Sequence, residues 1–113
     1  TETVGLGGAA MAASPSIVKF VGGTIKDIQE MTNRFRRITI TQNKYYIIPF
    51  AEFEGTPTGI DIRRIIQSGL TPKANTGIAH KTPGIGQIGA GIVTLPIKPF
   101  KEALMSYART YKI

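Results

Sequence analysis

His80 is the single histidine of a 113-residue chain that has no cysteine, and it stands beside Lys81 at the end of Asn75-Thr76-Gly77-Ile78-Ala79-His80. An imidazole can move a proton near neutral pH, and an ammonium can neutralise a carboxylate or a phosphate. Immediately downstream lies Gly84-Ile85-Gly86-Gln87-Ile88-Gly89. The five glycines between positions 77 and 91 exceed what one turn requires, and bare backbone amides could approach a small anion there. A second group is Thr56-Pro57-Thr58-Gly59-Ile60-Asp61. It supplies two hydroxyls, unhindered amides and a carboxylate, with Arg63 and Arg64 close behind. The candidate catalytic residues are therefore His80, Lys81 and Asp61. The candidate substrate or anion contacts are Thr56, Thr58, Gly59, Asn75, Thr76, Gly77, Gly84, Gly86 and Gln87. Each has a plainer reading beside this one: Asp61 as a helix cap, His80 as a structural hydrogen-bonding group, and the glycines as a hairpin loop. A further glycine loop, Gly5-Leu6-Gly7-Gly8 before Ala9-Ala10-Met11-Ala12, reads either as an anion-binding helix start or as close packing of small residues.

Other chemistries are excluded or disfavoured. Without cysteine, and with one histidine, neither a thiol nucleophile nor a transition-metal site is expected, and no cofactor is expected. The absence of cysteine suits a reducing, cytoplasmic setting. Gly84 to Gly89 matches the G-x-G-x-x-G string of dinucleotide-binding loops. That mechanism needs a helix opening from the loop, whereas Ala90-Gly91-Ile92-Val93-Thr94-Leu95 reads as a strand. Walker and Gly-x-Ser-x-Gly patterns are absent. No apolar run approaches the ~20 residues of a membrane helix. The formal charge of +7 from 14 Lys and Arg against 7 Asp and Glu raises nucleic acid as a partner, but the basic residues are scattered, with only Arg34 to Arg37 and Arg63-Arg64 close together. Nucleic acid is not the expected partner.

The elements that must position these groups follow from periodicity and turn chemistry. Residues 1–7 read as a short strand entering glycines, and residues 9–13 as a helix of small residues. Ser14-Pro15 restarts a helix with Ile17, Val18, Phe20 and Val21 on its apolar flank, ended by Gly22-Gly23. Thr24-Ile-Lys-Asp27 is a capping box opening a helix whose Ile25, Ile28, Met31 and Phe35 share one face. Residues 45–53 read as an edge or bulged strand because of Pro49. A turn over 54–57 follows, and Thr58-Gly-Ile-Asp61 caps a short helix bearing Ile62, Ile65 and Ile66. Residues 73–81 and 88–95 form two strands, and Pro96 and Pro99 open a last helix striped with Phe100, Ala103, Leu104, Tyr107 and Tyr111. The expected fold is α+β: N-terminal helices, then β-α-β-β-α, with one sheet of about three strands and helices on one face. One domain over 1–113 is expected, cut from a longer protein.

Several blocks together carry a family likeness. These are Glu2-Thr-Val-Gly-Leu-Gly-Gly8, Pro15-Ser-Ile-Val-Lys-Phe-Val-Gly-Gly23, Gly55-Thr-Pro-Thr-Gly-Ile-Asp-Ile-Arg63, Thr76-Gly-Ile-Ala-His-Lys81 and Pro83-Gly-Ile-Gly-Gln-Ile-Gly-Ala-Gly91. They resemble the C-terminal region of the YlbE/AllG-like family, whose members are much longer. The resemblance implies a domain of an oxamate carbamoyltransferase large-subunit-like protein, which would exchange carbamoyl phosphate plus oxamate with oxalurate plus phosphate. It implies as partners the remainder of the same longer chain, FdrA-like subunits and a small anionic substrate, with a homo-oligomer also open. A non-catalytic scaffold or subunit-interaction domain is the alternative. The Ser-Thr-Arg-Thr loop of ornithine and aspartate carbamoyltransferases is absent, so those enzymes do not guide residue roles, and the isolated piece is expected to be inactive.

Overall fold

The computed structural model describes residues 1–17 and 22–113. The expected helix after Ser14 is represented by a single 3-10 turn, Pro15–Ile17, and its continuation through Val18, Phe20 and Val21 lies outside the described residues. The N-terminus differs from expectation. Residues 1–7 form no strand: Glu2–Val4 is a 3-10 turn ending at Gly5 in the left-handed region (φ 88°), and Gly7–Ala13 is a second 3-10 stretch. Gly7 also has positive φ (60°). Such backbone cannot continue a strand, so the small residues that follow pack as an irregular plug.

Helix α1 (Ile25–Ile38) forms as its sequence requires. Thr24 Oγ1 accepts from the Asp27 amide, and the Thr24 amide donates to Asp27 Oδ2 at 2.6 Å, closing the capping box. Ile28, Met31, Thr32, Phe35 and Ile38 are its buried face. With Ala9, Met11 and Ile65, the apolar members of that face form the core. Thr32 is tied to the plug, donating to the Ala9 carbonyl and accepting from the Ala12 amide.

The helix passes directly into strand β1 (Thr39–Ile48), which pairs antiparallel with β2 (Glu54–Ile60). The strand expected over 45–53 thus begins earlier and ends earlier. Pro49–Ala51 is a 3-10 turn, and Glu52 and Phe53 take positive φ to reverse the chain. The residues read as a turn and cap, 54–60, are instead a strand. Pro57 sits opposite Gln42 just where the register shifts, between Gln42 and Ile47. A proline cannot donate to the ladder, and the bulge accommodates it. Asn43 shapes that bulge by accepting from the amides of Tyr45 and Tyr46.

Helix α2 (Ile62–Ser68) is capped by Asp61 itself, not by Thr58, and stops at Gly69 with φ 69°. Strands β3 (Lys73–Ala79) and β4 (Gln87–Thr94) form an antiparallel hairpin, and α3 (Lys98–Tyr111) closes the chain. The class is α+β, as expected. The described strands make two separate two-stranded sheets, β1-β2 and β3-β4, in place of one sheet of about three strands. Reading 54–60 as a cap hid the fourth strand, and with it the self-contained β1-β2 pair. On α3 only Phe100, Leu104 and Ala108 are half-buried; Ala103, Tyr107 and Tyr111 of the expected apolar stripe remain exposed. None of the described helices is long and apolar enough to cross a membrane.

Candidate functional site

The predicted site residues fall into three places. The first is the end of β2. Gly5 approaches so closely that a Cβ there would lie 2.2 Å from Thr56 Oγ1 and 2.6 Å from Thr58 Oγ1. Thr58 Oγ1 lies within hydrogen-bond distance of the Val4 carbonyl at 3.3 Å and of the Thr56 carbonyl at 3.0 Å. Thr56 is 1% exposed, and its hydroxyl has no partner among the described residues. Gly59 (φ 76°) lies beneath the Ile40 side chain. Asp61 is fully engaged: Oδ1 accepts from the Arg63 amide at 2.8 Å and from Nε at 3.2 Å, and Oδ2 from the guanidinium at 2.9 Å. The Arg63 side chain, first among several causes, holds the Asp61 carboxyl below the usual carboxylate range. A carboxylate forked by arginine and committed to a cap is a poor proton acceptor.

The second place is β3. The Asn75 amide donates to Glu2 Oε1 at 3.3 Å, and its side chain reaches Met11 Sδ at 3.6 Å. Thr76 Oγ1 donates across the hairpin to the Gly91 carbonyl, and Gly77 leaves room for the Gln87 side chain. Glu2 was not singled out from the sequence, yet it links these first two places. Its Oε1 also accepts from Gly8 N at 3.3 Å, and its Oε2 from Thr1 Oγ1 at 2.7 Å. Burial pushes its carboxyl up, but these hydrogen bonds together outweigh that and hold it below the ordinary value. An acidic residue just ahead of a glycine loop is the signal that could have found it. The glycine loop 5–8 is accordingly a packing device: a Cβ at Gly8 would stand 2.0 Å from the Lys73 carbonyl oxygen.

The third place is the hairpin tip. His80 N donates to the Gly86 carbonyl at 2.8 Å, and His80 Nδ1 accepts from the Thr82 amide at 2.9 Å. With Nδ1 accepting from this amide, a neutral imidazole carries its proton on Nε2, which is then a donor. Lys81 and residues 82–88 are exposed. Gly84 and Gly86 both have φ 86° with open space where a Cβ would be. Among the described residues, the amides of Lys81, Gly84 and Gly86 donate to no protein acceptor, while the Ile85 amide closes the turn over Pro83-Gly84. Gln87 Nε2 turns back to the Gly89 carbonyl.

No hydrogen bond joins the β2 end and the hairpin tip among the described residues, and the tip bonds only within its own hairpin. A cleft of about 380 Å³ lies between the N-terminal turn, α2 and the hairpin base, lined by Glu2, Ile60, Ile65, Ala74, Leu95 and Phe100 among others. It is bordered by chain neighbours of the candidates, not by the candidates themselves.

Charge is unevenly divided. Residues 1–61 carry six basic and six acidic side chains, while residues 62–113 carry eight and one, so the whole excess of +7 lies in the second part. From Ile62 to Lys101 there is no acidic residue, and the tip sits midway along that stretch.

The whole chain aligns with two Escherichia coli (strain K12) proteins. It is 44% identical over 113 residues to the uncharacterized protein YahG and 45% identical over 114 residues to the oxamate carbamoyltransferase subunit AllG. The chain belongs to the AllG/YahG-like family. It spans about a quarter of the length of these relatives, 24% of the first and 27% of the second. No family model and no solved structure matches it.

Proposed function

We propose that this chain is the C-terminal domain of a carbamoyltransferase-type enzyme subunit, and that it lends its β3-β4 tip to an anionic substrate site completed by the rest of the longer protein. One observation carries this reading: three unpaired amides, the Lys81 ammonium and the His80 Nε2 proton belong to one loop inside a stretch with no carboxylate. Donors fixed in this way favour a carboxylate or phosphoryl oxygen and stabilise charge that develops on it. Carbamoyl transfer from carbamoyl phosphate to oxamate would place negative charge on the departing phosphate. His80 Nε2–H and Lys81 suit that role as donors. The proton lost by the attacking amide nitrogen then needs a base from outside this domain, because Asp61 is tied to Arg63. Support for oxamate as substrate is the family relationship to AllG; FdrA-like subunits as partners rest on the family resemblance.

A scaffold role is the second reading, and the β2 end favours it. Thr58 bonds to the N-terminal turn, Asp61 caps α2, and Thr56 and Gly59 are packed closely against Gly5 and Ile40. In the present proposal those four are structural and the tip alone meets substrate.

The test is calorimetric titration of carbamoyl phosphate and oxamate into the full-length protein assembled with its partner subunits. Lys81→Ala and His80→Ala should each weaken binding by about tenfold or more, the worth of one hydrogen bond to a charged group. Unchanged affinity in both variants would leave the scaffold reading standing.

A further inference from the structure

The β3-β4 hairpin is a two-stranded sheet with two outer edges, and they are treated differently. Leu95 N donates to the Pro72 carbonyl at the base of the ladder. In that register the hydrogen-bonded pairs are Ala74–Val93, Thr76–Gly91 and Ile78–Gly89, so the amides and carbonyls of Ala90 and Ile92 point away from β3. The far edge of β3 is occupied: the Asn75 amide donates to Glu2 Oε1, and Gly8 packs against the Lys73 carbonyl. The far edge of β4 is open. Among the described residues no third strand lies beside it, and the main-chain groups of Ala90 and Ile92 meet no partner.

That edge is also undefended. Strand edges left in water are ordinarily blunted by a charge, a proline or a bulge. Strand β1 has Lys44 and a bulge, β2 has Glu54 and Pro57, and β3 has Lys73. Strand β4 has neither charge nor proline, and its register shift, opposite Ile78 and Ala79, leaves Gly89 to Thr94 regular. Neither Gly89 nor Gly91 has positive φ, and a Cβ at either would make only ordinary contacts from 3.4 Å. Nothing within the described residues requires glycine there, whereas close approach of another backbone would.

We propose that a strand from the remainder of the same longer polypeptide, outside residues 1–113, pairs with the free edge of β4. The edge offers a row of main-chain donors and acceptors, which selects an extended segment over a helix or a small ligand. The relatives place roughly three-quarters of such a protein outside this chain. Covalent linkage holds that portion at high local concentration, so pairing needs no encounter between molecules. A second copy would instead bring together two segments that each carry eight basic side chains and one acidic over residues 62–113, and these repel. A third strand also turns a marginal two-stranded hairpin into a stable sheet. Such pairing does not require the tip to bind an anion.

The experiment is amide hydrogen exchange resolved to single residues in the full-length protein, at low and high protein concentration. The amides of Gly91 and Val93 face β3 and serve as the internal reference. Those of Ala90 and Ile92 should exchange within about tenfold of them at both concentrations. Fast exchange at Ala90 and Ile92 beside slow exchange at Gly91 and Val93 overturns the proposal. So does protection that is lost on dilution or that appears only with a partner subunit. Burial without pairing is distinguished by p-benzoylphenylalanine at Val93, which is 47% exposed. In a mixture of light and isotope-labelled full-length protein, its photo-cross-link should join position 93 to a peptide of the same chain from outside residues 1–113. A cross-link within residues 1–113, to a second copy or to another subunit, or no cross-link at all, overturns the proposal.

Discussion

Replacing Gly8 with alanine tests whether the N-terminal plug is a structural wedge. The added Cβ would stand 2.0 Å from the Lys73 carbonyl oxygen and 3.3 Å from Phe35 Cε2. The first neighbour is backbone at the start of β3 and cannot rotate away, so plug and hairpin must separate by roughly 1 Å to restore an ordinary carbon–oxygen contact near 3.3 Å. Overpacking of this kind costs about 1–3 kcal/mol. Here the same displacement stretches the Gly8 and Asn75 amides away from Glu2 Oε1, two contacts already at 3.3 Å. A hydrogen bond to a charged group contributes about 1.5–3 kcal/mol, less where it is long. The expected loss is therefore about 3 kcal/mol, a large share of the 5–15 kcal/mol typical of a domain. In urea unfolding with a slope near 1.5 kcal/mol/M, it lowers the midpoint by about 2 M. Gly84→Ala is the control: its Cβ meets nothing within 4 Å, and only its positive φ of 86° is penalised, at roughly 1–2 kcal/mol. A Gly8→Ala midpoint equal to or above that of Gly84→Ala would show that the plug does not press on β3.

Two further outcomes follow from the same packing. Thr56→Val keeps the shape of a 1%-exposed side chain and removes a hydroxyl with no partner; urea unfolding should show stability unchanged or raised by up to about 1 kcal/mol, and oxamate titration of the full-length protein should show no loss of affinity. The carboxyls of Glu2, Asp27 and Asp61 are all held below their ordinary values. Their contribution is complete above the unfolded-state pKa and disappears as pH falls through the lower folded-state values, so the urea midpoint should drop progressively below about pH 5. Asp27→Asn, which replaces the carboxylate bonded to Thr24, should flatten that decline.

The parts legible in sequence are those whose signals are local. Thr24 and Asp27 announce α1, the glycines of the tip announce the hairpin turn, and Pro96 and Pro99 announce the start of α3. The failures share a different cause: tertiary contact overrode local preference. Thr56-Pro57-Thr58 has the composition of a cap, but β1 runs alongside and recruits it as a strand, with the bulge at Asn43 absorbing the proline. Residues 1–7 have strand-like composition only until Gly5 and Gly7 take positive φ. Nothing in a linear pattern tells whether Thr58 and His80 share a face, and among the described residues no hydrogen bond joins their loops.

Division of charge along the chain bears on the proposed anion site. The electrically balanced part of the chain, residues 1–61, supplies most of the core: Ala9, Met11, Ile28, Met31, Phe35 and Ile38, against Ile65 alone from the remainder. Large apolar side chains are exposed in both parts, among them Tyr45, Phe50 and Phe53 in the first and Ile78, Tyr107 and Tyr111 in the second, but the whole excess of positive charge lies in the second. Exposed apolar groups cost free energy unless something covers them, and positive charges confined to one part of a chain repel one another unless something offsets them. An anion held at the tip would offset part of that charge. Lys81→Ala should therefore weaken anion binding while leaving subunit assembly intact, since Lys81 is exposed and its side chain makes no ion pair among the described residues.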